Sequence, residues 1–250
     1  MPETKILITG ASSGIGAALA RSYARPGATL VLWGRDAPRL EAVAVECRRR
    51  GAAVMADPFD LRDMAAMAQR LAKCDAEGAI DLAIFCAGLG GIVPPDQFAQ
   101  APQLAQAMAE VNFTSPVVGA GIMSGAMAGR GRGQIVLVGS IAESFPLPMS
   151  PVYAGSKAGL AMFAEALAGR MTPHGVAVTL VSPGYIDTPM SQQLNKPRPF
   201  LLSADRAAEI IKRKLARRPL RIVLPWQFIW IRALAMLLPR PLLRRILRSA

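Results

Sequence analysis

Short apolar runs recur along the chain at Lys5–Thr9, Thr29–Trp33, Ala53–Met55, Leu82–Phe85, Gln134–Val138, Val176–Val181 and Arg221–Leu224, with helix-length intervals between them. Near-continuous apolar runs of this length predict strands buried on both faces, which is the habit of parallel strands covered by helical crossovers. The alternation therefore predicts an α/β fold: a doubly wound, seven-stranded parallel sheet with about six helices, filling residues 1–225 without linker or repeat. An Ala-rich helix is expected from Ala17 to Ala24, and another from Val152 to Arg170. Gly129–Gly133 (GRGRG) reads as a surface turn whose two arginines are solvated loop charges. The stretch from Thr188 to Leu202 holds three prolines and no periodicity, so it reads as a structureless lid over a pocket. Ser203 then looks like a helix N-cap, with Asp205 and Glu209 early and Lys212, Arg213, Lys214, Arg217 and Arg218 late, as the helix dipole favours.

Beyond Pro225 the pattern changes. Residues 226–238 are apolar nearly all round, yet the longest uncharged run is about ten residues, too short to span a bilayer as a helix. From Arg240 to Arg248 a second helix would place Arg240, Arg244, Arg245 and Arg248 on one arc and Leu242, Leu243, Ile246 and Leu247 on the other. Residues 226–250 thus read as a basic amphipathic extension. Three occupants of its apolar surface stay open: an anionic membrane interface, which Trp226 and Trp230 would suit; a sister subunit in a homo-oligomer; and the chain's own pocket.

Composition supports a folded chain. With 250 residues, 52% hydrophobic and 18% charged, it can bury one sizeable core, which excludes low-complexity disorder. The formal charge of +12 is local: residues 1–195 hold 15 basic against 15 acidic side chains, whereas residues 196–250 hold 14 against only Asp205 and Glu209. No groove-reading pattern accompanies that charge, so a nucleic-acid partner is not expected. Cys47, Cys74 and Cys86 lack close spacing, and the one histidine, His174, sits between Pro173 and Gly175 as a turn residue. No metal site or disulfide framework is expected, and a reducing, cytoplasmic setting is. The start, Met1 to Lys5, has neither the basic opening nor the long apolar stretch of a secretory signal.

Candidate chemistry begins where the first strand ends. Thr9-Gly10-Ala11-Ser12-Ser13-Gly14-Ile15-Gly16 places three glycines where a strand turns into a helix, so backbone N–H groups and the helix N-terminus can face a pyrophosphate. The spacing is G-x-x-x-G-x-G rather than G-x-G-x-x-G, and with the alternating strands it predicts a Rossmann-type nucleotide fold. At the end of the second strand, Arg35 favours a ribose 2′-phosphate and hence NADP, while Asp36 offers an acceptor for a free 2′-hydroxyl, so NAD stays open. Tyr153 and Lys157 lie one turn apart on a predicted helix, where the ammonium would lower the phenol's pKa toward that of a working proton donor. Ser140, just past the fifth strand, sits at the ligand edge of the sheet, within reach of a carbonyl oxygen.

These residues give the chain a resemblance, from Lys5 to about Leu224, to the short-chain dehydrogenase/reductase family. The glycine loop resembles the family's cofactor loop, and Asp60 with Leu61 its adenine-contacting pair. Asn112 falls at its helix asparagine, Ser140, Tyr153 and Lys157 at its catalytic trio, and Pro183, Gly184, Ile186 and Thr188 at its nicotinamide-side segment. The resemblance implies that Tyr153 is the general acid/base, that Ser140 positions the carbonyl or alcohol, that Lys157 also binds the nicotinamide ribose, and that Asn112 holds a water in a proton relay. Cys86-Ala87-Gly88 replaces the family's Asn-Ala-Gly, which questions how rigidly Ala87 and Gly88 are held there. Cys86 itself reads as a small buried residue rather than a reactive thiol. The implied activity is NADP(H)-dependent interconversion of a ketone and a secondary alcohol, on an apolar or acyl-chain small molecule, by residues 1–225. A catalytically silent cofactor-binding scaffold or sensor, recruited to a membrane by the basic extension, is the alternative.

Overall fold

The computed structural model describes residues 4–94, 96–194 and 197–237. Seven parallel strands form one sheet: β1 (Thr4–Thr9), β2 (Ala28–Gly34), β3 (Ala53–Pro58), β4 (Leu82–Phe85), β5 (Gly133–Val138), β6 (Val176–Pro183) and, after two short strands, β9 (Arg221–Leu224), in the order β3-β2-β1-β4-β5-β6-β9. The chain winds outward from β1 to β3, then returns to lay β4 on the other side of β1. That reversal opens a crevice at the carboxyl ends of β1 and β4, where sheets of this kind bind ligands.

Side chains alternate across the sheet with the two-residue period of a strand. Ile6, Ile8, Leu30 and Leu32 face a layer made by α1 (Gly14–Tyr23), α2 (Ala37–Arg49) and α8 (Ala204–Leu215). Leu7, Val31 and Trp33 face the opposite layer, which contains α3 (Met64–Ala76), α5 (Ser115–Gly129) and α6 (Pro151–Met171). The short α4 (Pro102–Ala109) leads into α5 through a π-bulge at Glu110–Thr114.

Several boundaries differ from the sequence reading. Helix α1 starts at Gly14 rather than Ala17, because the glycine-rich turn itself supplies the first helical turn. The stretch after Thr188 is not structureless. Strand β7 (Ile186–Asp187) pairs with β8 (Leu202–Ser203), and between them lies α7 (Pro189–Gln192). Thr188 caps α7 reciprocally: its Oγ1 accepts from Ser191 N at 3.3 Å, and its own N–H donates to Ser191 Oγ at 3.2 Å. Arg130 in the GRGRG turn is no solvated charge, since it pairs with Asp75 at 2.8 Å and donates to the Ile80 carbonyl at 2.6 Å. Ser203 does cap α8, accepting from Arg206 N at 3.2 Å, and His174 lies exposed in a turn closed by Gly175.

The apolar segment after Pro225 forms α9 (Gln227–Leu237), which packs on the body through Phe228. The basic stretch Arg240–Arg248 lies outside the described residues. Among the described residues no helix is long and apolar enough to cross a membrane.

Candidate active site

The loop from Gly10 to Gly16 leaves β1 and enters α1 in a shape that side chains would block. Gly10 has φ +68°, and a Cβ there would lie 2.7 Å from Ala87 Cα; Gly14 has φ +53° and packs under Thr188 Cγ2. Ser13, at the N-cap of α1, makes no side-chain cap, and no acidic residue occupies the first turn. The first N–H groups of α1 thus keep their donor capacity, and the positive end of the dipole is not neutralised locally. A dinucleotide pyrophosphate fits this cradle. Ser12 lies against Gly34 at the end of β2, and Ile15 packs partly into the core, so the loop is held from both flanks.

The asparagine-to-cysteine change after β4 does not leave its loop loose. Thr9 Oγ1 accepts from the N–H groups of Cys86 at 3.0 Å and Ala87 at 3.2 Å, tying the 86–88 segment to β1. Desolvation pushes the Cys86 thiol up to about 12, with Lys157 opposing, so it stays protonated at neutral pH.

At the far end of the crevice Arg35 and Asp36 have different roles. Arg35 is exposed and forms no ion pair among the described residues. Asp36 caps α2, accepting from Arg39 N at 3.0 Å, and pairs with the Arg39 guanidinium at 3.3 Å. Asp60, past β3, is gripped by Arg62, chiefly through side-chain hydrogen bonds that hold its carboxyl below the usual range; Arg35 contributes from a greater distance. Leu61 turns into the core beside it.

Ser140, Tyr153, Lys157 and Asn112 come together near the carboxyl ends of β4 and β5. Ser140 caps a 3₁₀ turn at Ile141–Ser144, accepting from Ala142 N at 3.2 Å, and lies close enough to the Tyr153 hydroxyl on α6 to pull its pKa down. Lys157, one turn further along α6, is buried; its Nζ donates to the Val138 carbonyl at 2.9 Å and lies 5.8 Å from the Tyr153 ring centroid. Asn112, fully buried in the π-bulge, accepts from Leu89 N at 2.7 Å and returns a bond to Leu89 O at 2.9 Å. A Cβ on Gly88 would lie 3.4 Å from Asn112 Oδ1 and 3.8 Å from Lys157 Nζ, so the loop after β4 meets both.

The expected lowering of the Tyr153 pKa by Lys157 does not appear. Burial instead raises the phenol above its ordinary range, opposed by the nearby Ser140 hydroxyl. The reason lies in Lys157: burial brings its own pKa down to about 8, and its amine is engaged with the β5 backbone.

Pro183 and Gly184 close β6, Gly184 N donating to Leu224 O at 2.7 Å, and Ile186 is buried below Thr188. The ring of Phe228 occupies the space a Gly184 Cβ would need. It also meets Tyr185 and Phe200 edge-on, at 6.2 and 5.9 Å between centroids, so α9 packs on the segment that follows β6. Met190 reaches over Gly90, and in the same segment between β7 and β8 Phe200 and Leu201 are half-exposed apolar side chains. Sequence reasoning missed Met190, Phe228 and the buried carboxylate of Glu143. For the first, the Thr-Pro-x-Ser cap that orients α7 was a usable signal.

A glycine-rich cradle at a sheet's switch point, joined through the loop after β4 to a serine, tyrosine and lysine, is the arrangement of a dinucleotide-dependent oxidoreductase. The chain belongs to the short-chain dehydrogenase family, whose model matches residues 4–199. It is an NAD(P)-dependent dehydrogenase/reductase. Among its relatives is an uncharacterized oxidoreductase of Myxococcus xanthus, 32% identical over 237 residues, covering 94% of this chain and 93% of the relative. It superposes on a short-chain dehydrogenase from Sphingobium yanoikuyae in complex with NADPH, with TM-score 0.81 and 30% identity over 89% of this chain and 88% of that one. A bulky-bulky ketone specific alcohol dehydrogenase from Comamonas testosteroni is also similar, with TM-score 0.79, 26% identity and 95% coverage of both chains.

Proposed function

We propose that the protein is an NADP(H)-dependent oxidoreductase that interconverts a ketone and a secondary alcohol on an apolar or acyl-chain substrate. The observation that carries this reading is the gathering of Ser140, Tyr153 and Lys157 opposite the Gly10–Gly16 cradle. The cofactor supplies or accepts the hydride at the carbonyl carbon. Ser140 holds the carbonyl oxygen, and Tyr153 gives that oxygen its proton in reduction and takes it back in oxidation. Lys157 holds the nicotinamide ribose and favours the tyrosinate once the cofactor has brought hydroxyls into its reach. Asn112 keeps the loop after β4 in place and carries a water toward Lys157. Gly10, Ser12, Ser13, Gly14, Ile15 and Gly16 bind the pyrophosphate, Asp60 and Leu61 flank the adenine, and Ala87, Gly88, Pro183, Gly184, Ile186 and Thr188 line the nicotinamide half. Preference for NADP rests on Arg35 being free for a 2′-phosphate while Asp36 is committed to its cap.

The exposed apolar side chains of Met190, Phe200 and Leu201 between β7 and β8 support an apolar substrate, as does the similarity to a bulky-ketone enzyme. The experiment is ketone-dependent oxidation of NADPH across aliphatic and aryl ketones graded in size, with charged ketones as controls. Turnover should rise with apolar bulk. Turnover with charged ketones alone would overturn the substrate class, and none with any carbonyl compound would favour the silent scaffold.

We infer further that residues 226–250 form a surface extension of the 1–225 catalytic domain whose outer face rests on an anionic lipid surface. Trp230, Leu234 and Leu237 follow one another at helical spacing on the exposed side of α9, and Trp226, just before the helix, is exposed as well. The arginines of the following residues supply the charge such a surface attracts.

A further inference from the structure

Glu143 sits in the 3₁₀ turn that Ser140 caps, and its side chain is only 3% exposed. Three groups meet its carboxylate. Ser182 Oγ, on β6, donates at 3.0 Å; the Arg221 guanidinium, on β9, pairs with it directly; and Arg232 Nε, on α9, lies at 3.8 Å as an ion pair without a hydrogen bond. Gly139 leaves room for the carboxylate, since a Cβ there would lie 3.1 Å from Glu143 Oε2. Arg221 also bonds Ser182 Oγ at 3.2 Å and reaches Glu165 on α6, so two carboxylates balance two guanidinium groups. A buried carboxylate is tolerated only when paired and hydrogen-bonded, which commits the turn to this geometry. The commitment reaches Ser140 directly, because Glu143 N donates to Ser140 O at 3.0 Å.

We propose that Glu143 is a positioning residue for Ser140, and that Arg232 of α9 completes the set that holds it, so that the helix after Pro225 is coupled to the carbonyl-binding serine. This rests on the reading that Ser140 binds the carbonyl oxygen. A purely structural cluster would fasten α9 to the body without acting through Ser140. Displacement of a positioned group by about 1 Å lowers rates by up to about 100-fold, so the coupling should be visible in kcat.

The test compares Glu143→Gln and Arg232→Met in wild-type and Ser140→Ala backgrounds, reading kcat with a reducible ketone, the Kd for NADPH and Tm in the full chain. Glu143→Gln should lower kcat by about 10-fold or more while NADPH affinity stays within about twofold, and Arg232→Met should lower it in the same sense by about threefold. In the Ser140→Ala background neither change should lower kcat further, because both act through the missing hydroxyl. Additive losses in that background, or an unchanged kcat in both single variants, would overturn the proposal. If Glu143→Gln does not fold, Arg232→Met decides by the same criteria. An unchanged kcat in Ser140→Ala alone would overturn the role given to Ser140, and the proposal with it, whereas a loss there without one in Glu143→Gln overturns only the positioning role.

Discussion

Arg35 and Asp36 are adjacent, yet only one is available to a cofactor. The aspartate is spent on the N-cap of α2 and on Arg39, and the arginine stands exposed at the end of β2. A charge-assisted pair with a 2′-phosphate is worth about 1.5–3 kcal/mol, so titration should show NADPH binding roughly 10- to 150-fold more tightly than NADH. Arg35→Ala should remove most of that difference, and equal affinities in the unaltered protein would refute the assignment. Lys157 gives a pH signature. Burial lowers its pKa to about 8, so it is an ammonium at neutral pH and loses the proton as pH rises through that value. If the ammonium holds the ribose, NADPH affinity should be level near neutrality and weaken above about pH 8, since binding must then restore the proton. Lys157→Met should bind more weakly and show no such limb. Tyr153 and Lys157 were legible because one helical turn relates them. Glu143 was not, because its partners Ser182 and Arg221 lie 39 and 78 positions away, and only the sheet brings them together.

The seven strands of the main sheet matched their apolar runs, whereas the short β7 and β8 were not foreseen, and β3, expected to be buried on both faces, is an edge strand whose side chains are exposed or half-buried. The strand ends did not match: β3 runs on to Pro58 and β6 to Pro183, because strand pairing continues where hydrophobicity stops. The segment after Thr188 was read as irregular because a one-turn helix and a two-residue strand leave no periodicity, although their caps are local. The glycine loop was legible from its glycines, but its dependence on the loop after β4 was not. That dependence is testable. Gly10→Ala places a Cβ 2.7 Å from Ala87 Cα at a φ of +68°, and overpacking of this kind costs about 1–3 kcal/mol. A lower Tm together with a marked loss of NADPH affinity is expected in thermal unfolding and titration. An unaltered Tm and affinity would mean that the two loops part without cost.

At the scale of the molecule, a neutral body carries a basic, apolar end whose helix α9 seats Phe228 on Gly184 and leaves Trp230 exposed. The basic arginines were legible in the sequence, whereas the seating of Phe228 on Gly184 required the fold. Co-sedimentation with phosphatidylserine vesicles should be strong in low salt, fall as salt rises, and be lost in an Arg244, Arg245 and Arg248 to Glu variant, each basic group contributing about 1 kcal/mol. Binding that ignores both salt and these charges would contradict the lipid reading, and a concentration-dependent mass that collapses on truncation after Pro225 would assign the face to a second copy instead. The central claim is chemical: Tyr153 is the proton donor in an NADPH-dependent carbonyl reduction. The most direct measurement is NADPH consumption with the best ketone substrate in the unaltered protein and in Tyr153→Phe, alongside the Kd for NADPH. The account predicts that Tyr153→Phe binds NADPH almost as tightly but turns over about 100- to 10,000-fold more slowly, the usual worth of a positioned acid. Turnover within a few-fold of the unaltered protein would contradict it.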